Sequence, residues 1–254
     1  MNCIINPVGY VRNAAKERKG LKPGGVPAVI EIDPAYKACL DGLKAVSHIW
    51  VLCFFHKADR TVLKARPKKI SSSIKERGVF AMRSPDRPNP LALTCARLLK
   101  IKGTTLYVDK LDAIDGTPVA DIKVYSPAID CVPCASSPDF SGKYAQAKDS
   151  FVYDIMLRTA ANAVGPSRAA ELAALTAFKF VRLTGKGTEN FLPDMISTTL
   201  PPEGADALFA LFGARPSKTT LRIHKGKQPY KTVIAKGGTA YEITAEPDEL
   251  SYFD

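Results

Sequence analysis

A chain of 254 residues, 46% hydrophobic and 24% charged, is long enough to bury one large core or two modest ones and has the make-up of a soluble globular protein. Its formal charge of +11 sits almost wholly in the first 150 residues, and residues 57–102 alone hold 13 lysines and arginines against 3 acidic residues. Apolar runs such as residues 49–55 are too short to cross a bilayer, the start at Met1 lacks a signal-peptide layout, and six scattered cysteines need no disulfide framework, so a cytoplasmic protein with reduced thiols is expected.

In chain order, Val8 to Val11 and Val26 to Ile32 read as short strands separated by the charged, glycine-rich Lys16 to Gly25. Tyr36, Leu40 and Leu43 at near-helical spacing predict a short helix over residues 34–43. The β-branched and aromatic run Val46 to His56 predicts a buried strand, and residues 57–77, basic and serine-containing, a mobile excursion. Gly78 to Ala81 is expected to be an apolar strand leading into Arg83-Ser-Pro-Asp-Arg87-Pro-Asn89-Pro90. Three prolines in six residues make that loop stiff, because each fixes its own φ and biases the residue before it toward extended geometry. Strands follow at residues 91–101, 104–111 and 118–125, the first two joined at Lys102-Gly103 and the last two separated by Asp112-Ala-Ile-Asp115-Gly116-Thr117. Many short strands with turns between them predict an N-terminal all-β barrel over residues 1–130. No glycine-rich phosphate loop or dinucleotide fingerprint is present.

Residues 131–148, rich in proline and serine, are expected to form a linker. They carry Cys131-Val-Pro-Cys134, whose spacing suits zinc or redox chemistry but whose surroundings are those of ordinary loop thiols, so no metal is assigned. Residues 149–254 read as a smaller α+β domain, with helices over 151–163, 168–180 and 205–212 and strands over 220–224, 232–235 and 239–244. His48, inside the core-type strand, is expected to be a satisfied core histidine; His56, at the strand's end, is better placed for a site. His224 lies in residues 215–236, a run with seven basic residues and no acid, which is either a second nucleic-acid surface or is neutralised by the acidic tail.

Two loops carry candidate chemistry. The proline–arginine loop offers guanidinium forks at fixed spacing, and the aspartate loop offers two carboxylates with a glycine between strands. The basic excursion before them, through Arg60, Lys64, Arg66, Lys68, Lys69, Lys75 and Arg77, suits a polyanion, because cationic side chains release the counterions condensed on nucleic acid. A solvated lysine-rich surface accounts for the same charges equally well.

The wording of these segments narrows the choice. Ser47-His-Ile-Trp50, Gly78-Val-Phe-Ala-Met-Arg-Ser-Pro-Asp-Arg-Pro-Asn-Pro90 and Leu111-Asp-Ala-Ile-Asp-Gly-Thr-Pro-Val-Ala-Asp-Ile-Lys123, in this order, closely resemble the TrmO (YaeB-like) family of S-adenosylmethionine-dependent tRNA methyltransferases, over about residues 5–130. The resemblance implies a β-barrel and methylation of N6 on threonylcarbamoyladenosine at tRNA position 37, in the anticodon arm. It also implies a homodimer with the cofactor near the subunit interface. Carried over onto this chain, cofactor contacts fall on His56, Lys57, Arg83, Leu93, Asp112, Ala113, Ile114 and Asp115, and Arg87, Asn89 and Gly116 of the same motifs are counted with them as cofactor-binding. Asp115 is the first candidate for the general base, and a water-mediated route is an equal alternative.

Because the cofactor's sulfonium is cationic, Arg83 and Arg87 are expected to face its carboxylate or RNA phosphates instead. The chain departs from the family at Gly20-Leu-Lys-Pro-Gly-Gly25, where relatives carry Pro-Arg-Gln, and near its end, where the Asp-Pro-Arg-Pro-Ala-Tyr type of segment is missing. Two alternatives stay open: a methyltransferase of a small molecule or another RNA on the same barrel, and a non-catalytic RNA-binding module.

Overall fold

The computed structural model describes residues 4–22, 24–66, 75–131, 147–188, 191–214 and 217–252, which divide into two compact units, one before residue 132 and one after residue 146. The first unit contains β1 (Gly9–Arg12), β2 (Val26–Ile32), β3 (His48–Phe54), the two-residue strands β4 (Lys64–Ala65) and β5 (Arg77–Gly78), β6 (Leu91–Lys102), β7 (Thr105–Leu111), β8 (Pro118–Val124) and a one-turn helix α1 (Pro127–Asp130). Six of these strands close into a barrel in the spatial order β1-β2-β7-β6-β3-β8, and every ladder in it is antiparallel.

Strand alternation builds the barrel's interior. On β3, Ile49, Val51 and Cys53 are buried and pair with Ala96, Thr94 and Ala92 of β6, while His48, Trp50, Leu52 and Phe54 turn to the outer face. Val11, Ile30, Ile32, Leu106, Val108, Leu111 and Val119 complete a core fed by every strand of the barrel. At the start of β2 the chain runs so close to the end of β7 that a Cβ on Gly25 would lie 2.1 Å from the Leu111 carbonyl, and its φ of +100° is one that side-chain-bearing residues avoid.

Two expected elements differ. Residues 34–43 form a 3-10 turn over Pro34–Leu40 and a second over Leu43–Ala45, in place of one short helix. Residues 79–81 are a 3-10 turn and not a strand: Val79 is buried, but Phe80 is 84% exposed, so the apolar run has one inward side chain and no alternating face to pair. The ladder there is only Lys64↔Gly78 and Ala65↔Arg77, which closes the basic excursion back onto the start of the proline–arginine loop.

The second unit holds α2 (Asp149–Val164), α3 (Arg168–Thr184), β9 (Met195–Thr198), α4 (Pro202–Leu211), β10 (Thr220–Ile223), β11 (Tyr230–Lys236) and β12 (Thr239–Ala245). Ser167 caps α3 by accepting the Ala170 N–H, and the helix ends at Gly185 in the left-handed region. The four strands form one sheet in the order β10-β9-β11-β12. Its core joins Ile196, Ile234 and Ile243 to the three helices, with Phe180 set edge-on to Phe191, Phe212 and Tyr241 at centroid distances of 4.8, 4.9 and 5.4 Å. The strand absent from the sequence reading is β9: four residues without alternation, placed before Pro201-Pro202, yet pairing with β10 on one side and β11 on the other. No helix among the described residues is long and apolar enough to cross a membrane.

Candidate functional site

The proline–arginine loop lies between the end of β3 and the start of β6, tied there by Phe55 N–H donating to the Pro90 carbonyl at 2.9 Å. Its two arginines have separate tasks. Arg87 is half-buried, donates Nη1 to the carbonyls of Met82 (3.2 Å) and Ser84 (3.5 Å), and lies over the Phe80 ring at 6.0 Å, so it braces the loop from within. Arg83 is exposed and donates one Nη to the Leu93 carbonyl at 2.6 Å, leaving the rest of its fork able to meet an anion.

Between these arginines, Asp86 accepts both Nη groups of Arg18 at 2.9 and 2.8 Å and the Asp59 N–H at 2.9 Å. The Arg18 bonds hold the Asp86 carboxyl below the usual carboxylate range. Arg18 also donates to the Lys57 carbonyl at 2.7 Å, so one side chain joins the loop after β1, the turn bearing His56 and Lys57, and the proline–arginine loop. His56 and Lys57 are exposed in that turn.

The aspartate loop is clasped by the same stretch after β1. Asn13 donates its side-chain amide to the Ala113 carbonyl (2.8 Å) and its N–H to Asp115 Oδ1 (3.1 Å), while Lys16 Nζ donates to Asp115 Oδ2 (2.7 Å). Asp115 and Gly116 return N–H bonds to the Ala15 and Val11 carbonyls, both at 2.8 Å. Thr117 Oγ1 closes the turn onto the Ile114 carbonyl at 2.7 Å. Ala113 and Ile114 are thereby buried, and Asp112 is exposed at the tip. The Lys16 bond first and the Asn13 N–H second push the Asp115 carboxyl down. With both oxygens occupied, Asp115 holds the loop closed, and to take a proton from a substrate it would first have to release Lys16.

Residues 13–18 are therefore the seam between the two loops that sequence reasoning singled out, and none of Asn13, Lys16, Arg18 or Asp86 was assigned to the site by it. The signal available was a cluster of short polar and charged residues between two strands, which by composition alone is an ordinary loop.

Among the basic residues, Arg60 donates Nε to the Pro88 carbonyl at 3.0 Å, and it lines, with Asn89, Phe54, Leu91 and Pro118, a cavity of about 450 Å³. Lys64, Arg66 and Lys75 are exposed and Arg77 is half-buried on β5; Lys68 and Lys69 lie outside the described residues, as does Cys134. His48 is not the core histidine expected: strand alternation puts it, half-buried, on the outer face of β3, where its Nδ1 lies 3.0 Å from Ser47 Oγ and its ring meets Tyr125 edge-on at 6.4 Å. His224 belongs to the second unit, where its Nε2 lies 2.9 Å from Ser197 Oγ.

The family model described as the tRNA-methyltransferase O N-terminal domain matches residues 12–131, a range that contains the seam and both loops. An S-adenosyl-L-methionine-binding protein of Archaeoglobus fulgidus is 39% identical over 133 residues, which are 51% of this chain and 94% of that protein. A tRNA (adenine(37)-N6)-methyltransferase of Homo sapiens is 35% identical over 138 residues, 49% of this chain and 30% of its own length. A Pseudomonas aeruginosa protein, 38% identical over 144 residues, is covered over 60% of its length. A crystal structure of TrmO aligns over 56% of this chain and 67% of its own at 32% identity, with a TM-score of 0.46. On the strength of the sequence relatives and the matched domain, the chain belongs to the TrmO family.

Proposed function

We propose that this chain is an S-adenosylmethionine-dependent methyltransferase of cytoplasmic tRNA that acts on N6 of threonylcarbamoyladenosine at position 37. The observation that carries the reading is the match of residues 12–131 to the TrmO domain, supported by the names of the archaeal and human relatives.

The residues present suit such a cofactor. S-adenosylmethionine supplies an electrophilic methyl group on a cationic sulfonium. Arg83 offers guanidinium N–H groups to the cofactor's carboxylate, with the adjoining carbonyl of Leu93 fixing the arginine's direction. The exposed carboxylate of Asp112 suits ribose hydroxyls or an ammonium group, and the main chain of Ala113, Ile114, Asp115 and Gly116 is held rigid for close approach by the Asn13 and Lys16 clasp. His56, Lys57 and Asn89 stand at the rims of the same loops. Arg87 serves the site by stiffening its wall.

Methyl transfer to nitrogen is an in-line displacement that needs alignment and removal of a proton. The acceptor nitrogen of this substrate lies next to a carbonyl, which makes its proton easier to lose, and either Asp115, once released from Lys16, or a water is the candidate to take it. Arg60, Lys64, Arg66, Lys75 and Arg77 are assigned to RNA phosphates. A homodimer through the outer face of β6 fits the 43% exposure of both Leu91 and Leu93, beside Arg83.

Two measurements test the reading. Calorimetry is expected to show S-adenosylmethionine binding at sub-millimolar concentration, and its absence would remove the enzymatic reading. Labelled methyl incorporation into tRNA carrying the threonylcarbamoyl group is expected to exceed incorporation into tRNA lacking it. Equal labelling of both would refute the modified nucleoside as substrate while leaving a tRNA methyltransferase.

A further inference from the structure

The matched TrmO domain ends at residue 131, so the second unit's contribution has to be read from its own surface. Its sheet has two unlike faces. Ile196, Ile234 and Tyr241 lie in register across β9, β11 and β12 and pack against the helices. One residue further along each strand, Arg222, Ser197, Val233 and Glu242 form the neighbouring row, and by strand alternation they point away from the helices. Arg222 and Lys231 are exposed on that face.

The loop from His224 to Pro229 is pinned against the same face. His224 N–H donates to the Thr198 carbonyl at 2.9 Å, and its ring meets Ser197 Oγ at 2.9 Å. Gly226 follows, so close to Thr199 that a Cβ there would lie 2.4 Å from the threonine's own Cβ. Thr199 in turn exchanges hydrogen bonds with the main chain of Lys231. This anchoring presents Lys225 and Lys227 beside Arg222 and Lys231. From residue 217 to residue 236 there are six basic residues and no acid, and among the described residues the carboxylate paired with Lys231 is that of Glu242 at 3.9 Å, a separation that neutralises little.

We infer that this face, centred on Arg222, Lys225, Lys227 and Lys231, is a phosphate grip for RNA, a second contact that the chain adds to its TrmO domain. The inference rests on the proposal that the substrate is tRNA. Charge complementarity selects a polyanion, and the chemistry of the face decides how it is held. The row across the strands carries no Phe, Tyr or Trp on which a base could stack, and the His224 ring beside it is held against Ser197 Oγ at 2.9 Å, so the grip reads chiefly the backbone. The barrel's loops are left to choose the nucleoside.

The test uses the full chain with Arg222→Ala, Lys225→Ala and Lys227→Ala combined, and total tRNA as the binding probe in filter assays between 50 and 200 mM KCl. Expected are binding weakened about tenfold or more at the upper salt and a slope of log affinity against log salt lower by about 2–3, the share of three lost phosphate contacts. Cofactor affinity by calorimetry should be unchanged, and in methyl transfer KM for tRNA should rise while kcat stays within about twofold. The companion variant Arg222→Lys, Lys225→Arg, Lys227→Arg, which keeps the charge, should bind as the wild type does, and this separates a phosphate contact from a structural role. Wild-type affinity and slope in the alanine variant would overturn the grip. Wild-type protein that binds tRNA through these residues but transfers no methyl group would refute the proposed reaction and uphold the grip.

Discussion

Arg83 and Arg87 share a loop and a side-chain chemistry, yet their surroundings divide them. Arg87 uses its fork on the loop's own carbonyls, whereas Arg83 makes one bond to Leu93 and faces solvent. Arg83→Ala is therefore expected to weaken S-adenosylmethionine binding by about one to two orders of magnitude in calorimetry, the worth of a charge-assisted hydrogen bond, with tRNA affinity little changed. Asp115 is a second case in which environment assigns the role. Because Lys16 and Asn13 hold its folded pKa below the unfolded value, the clasp stabilises the fold at pH values above about 4, and that contribution is lost as pH falls through the lower, folded pKa. Asp115→Asn should thus lower stability at neutral pH and flatten its decline in acid, as read from denaturant midpoints between pH 2 and 7. If Asp115 positions the loop, turnover persists with an unshifted pH profile; complete loss of kcat with cofactor binding intact would identify it as the base.

At the scale of elements, the site is an arrangement of loops at strand ends, and the segment after β1 holds them together. Asn13 and Lys16 reach the aspartate loop, and Arg18 reaches the proline–arginine loop and the turn after β3. Prolines make the second loop stiff, but stiffness does not choose its position; the two Arg18–Asp86 bonds and the Phe55–Pro90 bond do. Arg18→Ala is expected to raise amide hydrogen exchange across residues 56–61 and 82–90 while leaving the barrel strands protected, and to weaken cofactor binding indirectly. Asp86→Asn should reproduce the same exchange pattern, because it removes the other half of the same pair. Exchange confined to residues 13–20 in both variants would show that the three segments are held independently.

Across the whole molecule, two cores serve two purposes. The barrel is filled by aliphatic side chains from every strand, and its candidate site sits on the loops that join them. The second unit is built around Phe180, fully buried among three other rings. Phe180→Ala is expected to cost about 3–5 kcal/mol in urea unfolding of the second unit, with cofactor affinity in the absence of urea unchanged, since the residues proposed to hold the cofactor all lie in the first unit. Loss of cofactor affinity in the folded variant would show that the second unit's core supports the site.

The barrel was legible before any coordinates because β-branched runs and turn residues are local signals, but which face of β3 turns inward was not: Trp50, Leu52 and Phe54 are as apolar as Ile49, Val51 and Cys53, and only closure of the barrel separates them. The two loops were legible because their wording is long and distinctive. Neither route could find the seam, since Asn13 lies 102 positions from Asp115 and Arg18 lies 68 from Asp86, and a hydrogen bond across such a separation leaves no periodicity in either segment. β9 escaped for a related reason: Met195-Ile-Ser-Thr198 sets two apolar residues before two polar ones and shows no alternation, and it is the pairing with β10 and β11 that puts them inside a sheet. The same pairing, with the anchoring of Gly226 against Thr199, turns a run of basic residues into one surface, because side chains scattered along a chain act together on a polyanion only when the fold points them the same way.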